Sequence, residues 1–412
     1  MKKKILALAV SGGLAAAPMG AMAAPEVYGI VDIGVEHYTD SDNASGDIFQ
    51  GLRSVAGNSD GRDVALVNGL NSRLGVRGEE ELDVAGLTAS YNIELGIDVL
   101  DDGDSDTFTR LGWAALGGDW GKIKVGSQWQ ALYEFGGWNT HRTDVHGYGT
   151  YYRTTGVLSN SLAYGFRQDS AISYEYGGAW GHSDPFAAQV TLGVGEGSAS
   201  VDSTQAKSFG QLDDDMVFED ASGNRVLAES RDDLTGGNYV QETVSEGVSN
   251  QNGITSIQAA AQYSFADNVS VNGVYVREFN DYGGVGIAEE YDPELYNLGA
   301  RWNVTDAYEL SVNYTQANTN NGNDDTVESI AIASMMDFGN GLTGHLGFSQ
   351  LSDDRESTDD DNYSDIDLNT YGYIKQALSD RTDVRFELEN IQYDNQADSS
   401  ATVALVGIQH NF

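Results

Sequence analysis

Polar and apolar residues alternate with a period of two through almost the whole of this 412-residue chain, and helical periodicity is nearly absent. Leu87, Ala89, Tyr91, Ile93, Leu95 and Ile97 share one parity; Thr88, Ser90, Asn92, Glu94 and Asp98 share the other. Tyr308, Leu310, Val312 and Tyr314 face away from Glu309, Ser311, Asn313 and Thr315. Val384, Phe386 and Leu388 oppose Asp383, Arg385, Glu387 and Glu389. One face of each strand is apolar enough for lipid, while the other carries charge. A two-sheet sandwich with a wet outer face shows the same alternation, so strand length decides. Tilted membrane strands need about 9–11 residues, against about 5–6 in globular proteins. The segments here are mostly of the longer kind: 26–38, 65–81, 86–99, 107–117, 121–129, 167–177, 185–196, 252–265, 268–279, 291–304, 306–318, 326–338, 341–353, 363–378, 381–394 and 399–412.

The last segment, Ala401 to Phe412, stops on an aromatic. A terminal strand left alone would fray, so it is expected to pair with the first strand. A sheet whose ends pair is a barrel. The expected fold is therefore an all-β, antiparallel transmembrane barrel of sixteen strands. Short connections such as Val304–Asp306 and Phe338–Gly341 alternate with long acidic ones near 39–64, 130–166, 197–251, 280–290 and 354–362. One rim of tight turns and one of long loops is the outer-membrane arrangement, with short periplasmic turns and long extracellular loops. Tyr91, Trp113, Trp129, Tyr174, Tyr176, Tyr263, Tyr275, Tyr308 and Tyr314 are expected in aromatic girdles, although Tyr and Trp favour strands anyway. Closure also accounts for a large exported chain without cysteine, since it pairs every backbone group.

Met1-Lys-Lys-Lys4, the apolar run 5–10 and Ala21-Met22-Ala23 form a secretory signal peptide over 1–23, with cleavage expected after Ala23. Residues 24–412 read as a single barrel domain, the stretch 197–251 being one long surface loop. The net charge of −41 excludes nucleic acid as a partner, because phosphates would be repelled. Runs such as Asp213–Asp215 and Asp359–Asp361 sit between strands, as solvated loops would. A mean hydropathy of −0.36 looks soluble, yet a barrel hides its apolar residues at every second position. Asp101–Asp106 lacks the spacing and terminal Glu of a calcium loop, so no metal site or cofactor is expected. The acidic clusters instead suit loose bridging by divalent cations, to lipopolysaccharide or between loops.

Four stretches carry a resemblance: Val27-Tyr-Gly-Ile-Val-Asp-Ile-Gly34, Ser72-Arg-Leu-Gly-Val-Arg-Gly-Glu-Glu-Glu-Leu82, Thr107-Phe-Thr-Arg110 with Leu116–Gly126, and Val406-Gly-Ile-Gln-His-Asn-Phe412. Together they resemble the general diffusion porins of Gram-negative outer membranes, especially the neisserial and comamonad-like branch. They cover both ends and the first third; residues 197–360 match in pattern only. The resemblance implies a homotrimer, a third extracellular loop folded into the lumen, and passive diffusion of ions and small hydrophilic solutes past a constriction of opposed charges. It also implies that the barrel-insertion machinery reads the terminal strand ending at Phe412. Arg73, Arg110 and Arg167 match constriction-wall positions, and parity adds Lys122 and Lys124 to their lumenal face. By parity Arg110 opposes Leu111, Trp113 and Ala115, and Arg167 shares a face with Asp169, Ser173 and Glu175. The bland alternative is that these cations pair with lumenal carboxylates and stiffen the wall. The infolded loop should be 130–166, with Glu134 and Asp144 as its acidic side, although Arg142 and Arg153 oppose them.

Acidic loops should concentrate cations at the mouth, so a weak cation preference of the pore is expected, although the three lumenal arginines argue the other way. No nucleophile and base fall into a recognisable arrangement around the six histidines, so the chain is not read as an enzyme. A soluble acidic β-protein or adhesin is a further class, separable by detergent dependence. A sugar- or oligosaccharide-specific channel is the nearer rival, with Trp138, Tyr148, Tyr151 and Tyr152 as a stacking track.

Overall fold

The structure is a computed structural model that describes residues 25–40, 64–69, 72–84, 86–100, 108–137, 139, 167–178, 185–194, 198–206, 217–219, 225–227, 241–249, 253–265, 268–279, 293–318, 326–353, 365–394 and 400–412. By internal contacts the chain divides into two compact units, Met1–Val194 with Ser256–Glu278 and Tyr291–Phe412, and Gly195–Thr255 with Phe279–Glu290.

Sixteen antiparallel strands form the sheet: β1 (Glu26–Asp40), β2 (Val64–Asn68 and Arg73–Glu81), β3 (Thr88–Gly96), β4 (Phe108–Gly118), β5 (Gly121–Trp129), β6 (Arg167–Tyr176), β7 (Phe186–Val194), β8 (Ile254–Phe265), β9 (Val269–Glu278), β10 (Glu294–Thr305), β11 (Tyr308–Asn318), β12 (Thr326–Gly339), β13 (Leu342–Asp353), β14 (Asp365–Ala377), β15 (Thr382–Asp394) and β16 (Ser400–Asn411). Each pairs with its neighbours in sequence, and β1 pairs with β16 from Ile30↔Asn411 to Asp40↔Ala401. The sheet is therefore closed, which satisfies its edges. β2 is one barrel strand in two segments. Both pair with β1, at Val64–Asn68 and again at Arg73–Arg77, around a break at 69–72 that the alternation did not announce.

Tight turns join the strands at one end. At the β12–β13 turn Gly339, Asn340 and Gly341 take φ of 80°, 54° and 76°, left-handed values that glycine and asparagine tolerate. Outward rows such as Leu298, Ile330, Ile332, Ile374 and Val406 are exposed, as lipid contact requires. Trp120 at the β4–β5 turn stacks on Tyr174 at 6.2 Å and accepts its hydroxyl proton on the backbone oxygen. Tyr275, Tyr296 and Tyr314 stand at the long-loop end, their hydroxyls on Glu294 and Glu328. Trp113 and Trp129, expected in these girdles, face inward instead.

The inner face is not polar throughout. Near the long-loop ends of β9–β16, Val276, Leu295, Ala317, Val327, Leu351, Ile366, Ile391, Tyr393, Ala401 and Val403 are buried inward-facing residues of one apolar cluster. Register sets many of them directly opposite one another, as in Val276↔Leu295, Leu295↔Ala317, Ala317↔Val327 and Leu351↔Ile366. Polar inward residues follow nearer the turns: Asn272, Asn297, Asn313, Thr315, Ser329, Ser349 and Asn369.

In the second unit, the stretch read as a single loop contains paired strands. Ser198–Ala206 pairs with Gln241–Ser249, and Val217–Glu219 with Arg225–Leu227.

Candidate pore constriction

A one-residue bulge shapes the basic wall. β3 and β4 pair at Glu94↔Leu111 and next at Leu95↔Thr109, leaving Arg110 as the surplus residue. A single insertion reverses the alternation beyond it. Leu111, Trp113 and Ala115 therefore turn inward along with Arg110, not outward as strict alternation implies. Arg110 is 3% exposed, and its Nε donates to Glu94 Oε1 at 2.7 Å. Arg73 approaches the same oxygen at 3.6 Å, and the Tyr28 hydroxyl lies 2.8 Å from the other one. Glu94 thus sits between two guanidiniums and a phenol, the kind of pairing a buried carboxylate needs.

A second bulge adjusts β6. Between Gly126↔Ala171 and Gln128↔Gln168 the register slips, and Ser170 takes a φ of 50°. Across from it Gly126 has a φ of 125°, where a Cβ would also overlap the Gly112 carbonyl. Asp169 consequently leaves the lumenal row and accepts the Ser127 hydroxyl on the exposed side, at 2.8 Å. Gln168 takes its place, accepting from Ser256 and Gln258 of β8. Arg167 is carried to the rings of Trp129 and Phe108, 5.4 and 5.7 Å from their centroids. Arg110 lies 5.9 Å from the same Trp129 ring, so the tryptophan joins the two arginines.

Lower on the wall, Lys122 and Lys124 both pair with Glu175, Lys122 at 2.9 Å. Both ammoniums also lie over Trp113, at 5.9 and 5.1 Å. Among the described residues the wall thus holds five cations and two carboxylates, Glu94 and Glu175. Both acids were legible by parity, since each shares a face with the cations it pairs; the reading that singled out arginines passed over them.

The start of the 130–166 segment does fold inside. After Trp129 the chain runs through Gln130 and Ala131 into a π-helix, Leu132–Gly137. The Ala131 N–H donates to Gln258 at 2.9 Å, and the Asn139 amide donates to the Val312 and Ala300 carbonyls at 2.7 and 3.2 Å. Leu132 and Phe135 join the apolar cluster, and Gly136 lies so close to Asn297 that a Cβ would overlap its amide. Asn297 cannot easily yield, because it donates to Thr315 at 2.7 Å and Asn313 at 2.9 Å. Tyr133 stacks on Trp129 at 4.8 Å. Burial pushes the Glu134 carboxyl up to about 7, offset by Lys124, reinforced by Glu175 and offset again by Lys122. The residue keeps part of its surface accessible, so water screens part of that push.

Arg73, Arg110, Arg167 and Lys124 are thus on one wall, with Glu134 within the electrostatic reach of Lys124. Asp144, Trp138, Arg142, Tyr148, Tyr151, Tyr152 and Arg153 lie outside the described residues. Phe412 stands at the seam, where it and Gly29 exchange backbone hydrogen bonds.

A family model described as Gram-negative porin matches residues 7–396. No curated protein matches the chain. Among solved structures, the anion-selective porin from Comamonas acidovorans is 17% identical over 94% of this chain and 99% of its own, with a TM-score of 0.56. OmpT of Vibrio cholerae in a trimer form is 14% identical over 95% and 100%, with a TM-score of 0.55. The outer membrane channel DcaP of Acinetobacter baumannii is 13% identical over 97% and 100%, with a TM-score of 0.60. At these identities the likeness is one of fold, and it agrees with the closed barrel. With the family model spanning nearly its whole length, the chain belongs to the Gram-negative porins and is an outer-membrane channel.

Proposed function

We propose that this porin carries ions and small hydrophilic solutes past a constriction whose basic wall is Arg73, Arg110, Arg167, Lys122 and Lys124, with Glu134 and Asp144 on the facing loop. The observation that carries this reading is the sharing of carboxylates. Among the described residues Arg73 and Arg110 share Glu94, and Lys122 and Lys124 share Glu175, so on this wall cations outnumber the carboxylates they share. At an effective dielectric near 20, two unit charges 4 Å apart interact by about 4 kcal/mol. The loop acids at the mouth act across water and are screened within about 8–10 Å. The constriction therefore outweighs the mouth, and the net preference is for anions, the reverse of what loop acidity alone suggests. The Comamonas acidovorans porin of like fold is anion-selective. The test is the reversal potential of the purified protein in a planar bilayer under a salt gradient. An anion-selective sign supports the proposal and a cation-selective sign refutes it.

The same reading gives the remaining assignments. Residues 1–23 act as a cleaved signal peptide, and 24–412 form one mature barrel. The protein works as a homotrimer, supported by the trimer form of OmpT. The final strand, ending on the half-exposed Phe412, is what the insertion machinery engages. Outward acids at the long-loop end, such as Glu328, meet lipopolysaccharide through divalent cations.

A further inference from the structure

The break in β2 immediately precedes Arg73. Between the pairs Ile33↔Asn68 and Ile30↔Arg73, β1 has two intervening residues and β2 has four. An even surplus keeps Arg73 facing inward but interrupts the residue-by-residue ladder between β1 and β2 at Val31 and Asp32. The Ser72 side chain fills the gap. Asp32 N–H donates to Ser72 Oγ at 3.0 Å, and Ser72 Oγ donates to the Asp32 carbonyl at 2.9 Å. A hydroxyl can take both roles with one atom. Gly69 N–H adds a bond to the same carbonyl at 2.7 Å, and Ser72 N–H closes back on Gly69 O at 3.0 Å. On the other side, Ile97 N–H of the chain leaving β3 donates to Ser72 O at 3.1 Å.

Asp32 is itself held. Its carboxylate takes Arg385 Nη2 of β15 at 2.5 Å, and Arg385 Nη1 reaches Gln409 of β16 at 2.7 Å. Gly69 lies directly under that carboxylate, where a Cβ would overlap it. Ser72 and Asp32 are 2% and 0% exposed. The anchor therefore reaches from β3 across β2 and β1 to the strands that close the barrel.

Arg73 needs such an anchor. Its contact with Glu94, at 3.6 Å, is much looser than the 2.7 Å contact of Arg110. The ion pair fixes Arg110 but holds Arg73 weakly, so the backbone on which Arg73 stands decides where its charge lies. We infer that Ser72, locked to Asp32, is a positioning residue that holds Arg73 at the constriction and thereby helps to set the ion preference of the pore. The inference rests on Arg73 lining the constriction.

Reversal potentials of S72A, S72T, R73A and the S72A/R73A double variant test it, with the heat-induced mobility shift of the folded barrel recorded for each. S72A is expected to remain folded and to shift the potential in the same direction as R73A, by less. S72T, which keeps the hydroxyl, should stay near wild type. In the R73A background, S72A should produce no further shift. A shift from R73A with none from S72A overturns the inference, as does an S72A shift that persists without Arg73, or loss of the folded barrel in S72A. A null result for R73A itself instead removes the constriction reading beneath it.

Discussion

Gly29 and Phe412 exchange both of their backbone hydrogen bonds, at 3.1 and 3.0 Å, and the terminal ring lies over a residue that has no side chain to displace it. The last residue of the chain is thereby stitched to the fourth residue of the first strand. Deleting Phe412 should remove both bonds and uncover the seam. At about 0.5–1.5 kcal/mol for each bond, the loss lowers the temperature at which the detergent-solubilised barrel unfolds on a gel without abolishing folding. An unchanged unfolding temperature would show that the seam does not need its final pair.

Glu94 holds two guanidiniums, so its replacement acts on both charge and stability. Glu94→Gln keeps the shape but leaves buried Arg110 without its carboxylate. Breaking a buried pair in this way costs about 3–5 kcal/mol. The barrel should unfold at lower temperature, and the channels that form should be more anion-selective than wild type. Channels more cation-selective than wild type would contradict the charge assignment.

Much of this fold was written in the alternation. The strands, the closing pair and the inward direction of Arg73 all follow from period two. What escaped were the places where the period slips. One surplus residue, Arg110, sends Leu111 and Trp113 to the lumen, and another near Ser170 moves Asp169 out of it. Bulges leave no local composition signal here, because Arg110 and Ser170 are ordinary strand residues in the sequence. The apolar inner band misleads differently. Leu405 and Val406 are both apolar, yet Leu405 is buried inward and Val406 is exposed outward, so β16 does not declare its faces by polarity.

Glu134 should make the pore sensitive to pH near neutrality. Burial pushes its carboxyl up to about 7 from an ordinary value near 4.5. Raising the pH through that value adds a negative charge beside Lys124, and selectivity should move toward cations; lowering it should move selectivity toward anions. The sign for stability follows from linkage: the folded chain holds a proton that the unfolded chain lacks between about 4.5 and 7, so this group's contribution falls as pH rises across that window and is level above it. Glu134→Gln should flatten the change in reversal potential between pH 5 and 8. A wild-type titration that persists in the variant assigns it elsewhere.

The contact of Gly136 with Asn297 seats the infolded segment. Gly136→Leu has no room, since the Asn297 amide is held by Thr315 and Asn313. The segment should lift from β9 and β10, giving single channels of larger and noisier conductance. Conductance indistinguishable from wild type would mean that the segment is held by its other contacts.

The basic wall is proposed to govern what passes. Its most direct test is the reversal potential of the R73A/R110A/R167A variant beside wild type, in the same bilayer and salt gradient. The potential is predicted to move toward cations, since the wall loses three positive charges and keeps Glu94 and Glu175. A potential that stays where the wild type leaves it would contradict the account and remove these arginines from the mechanism.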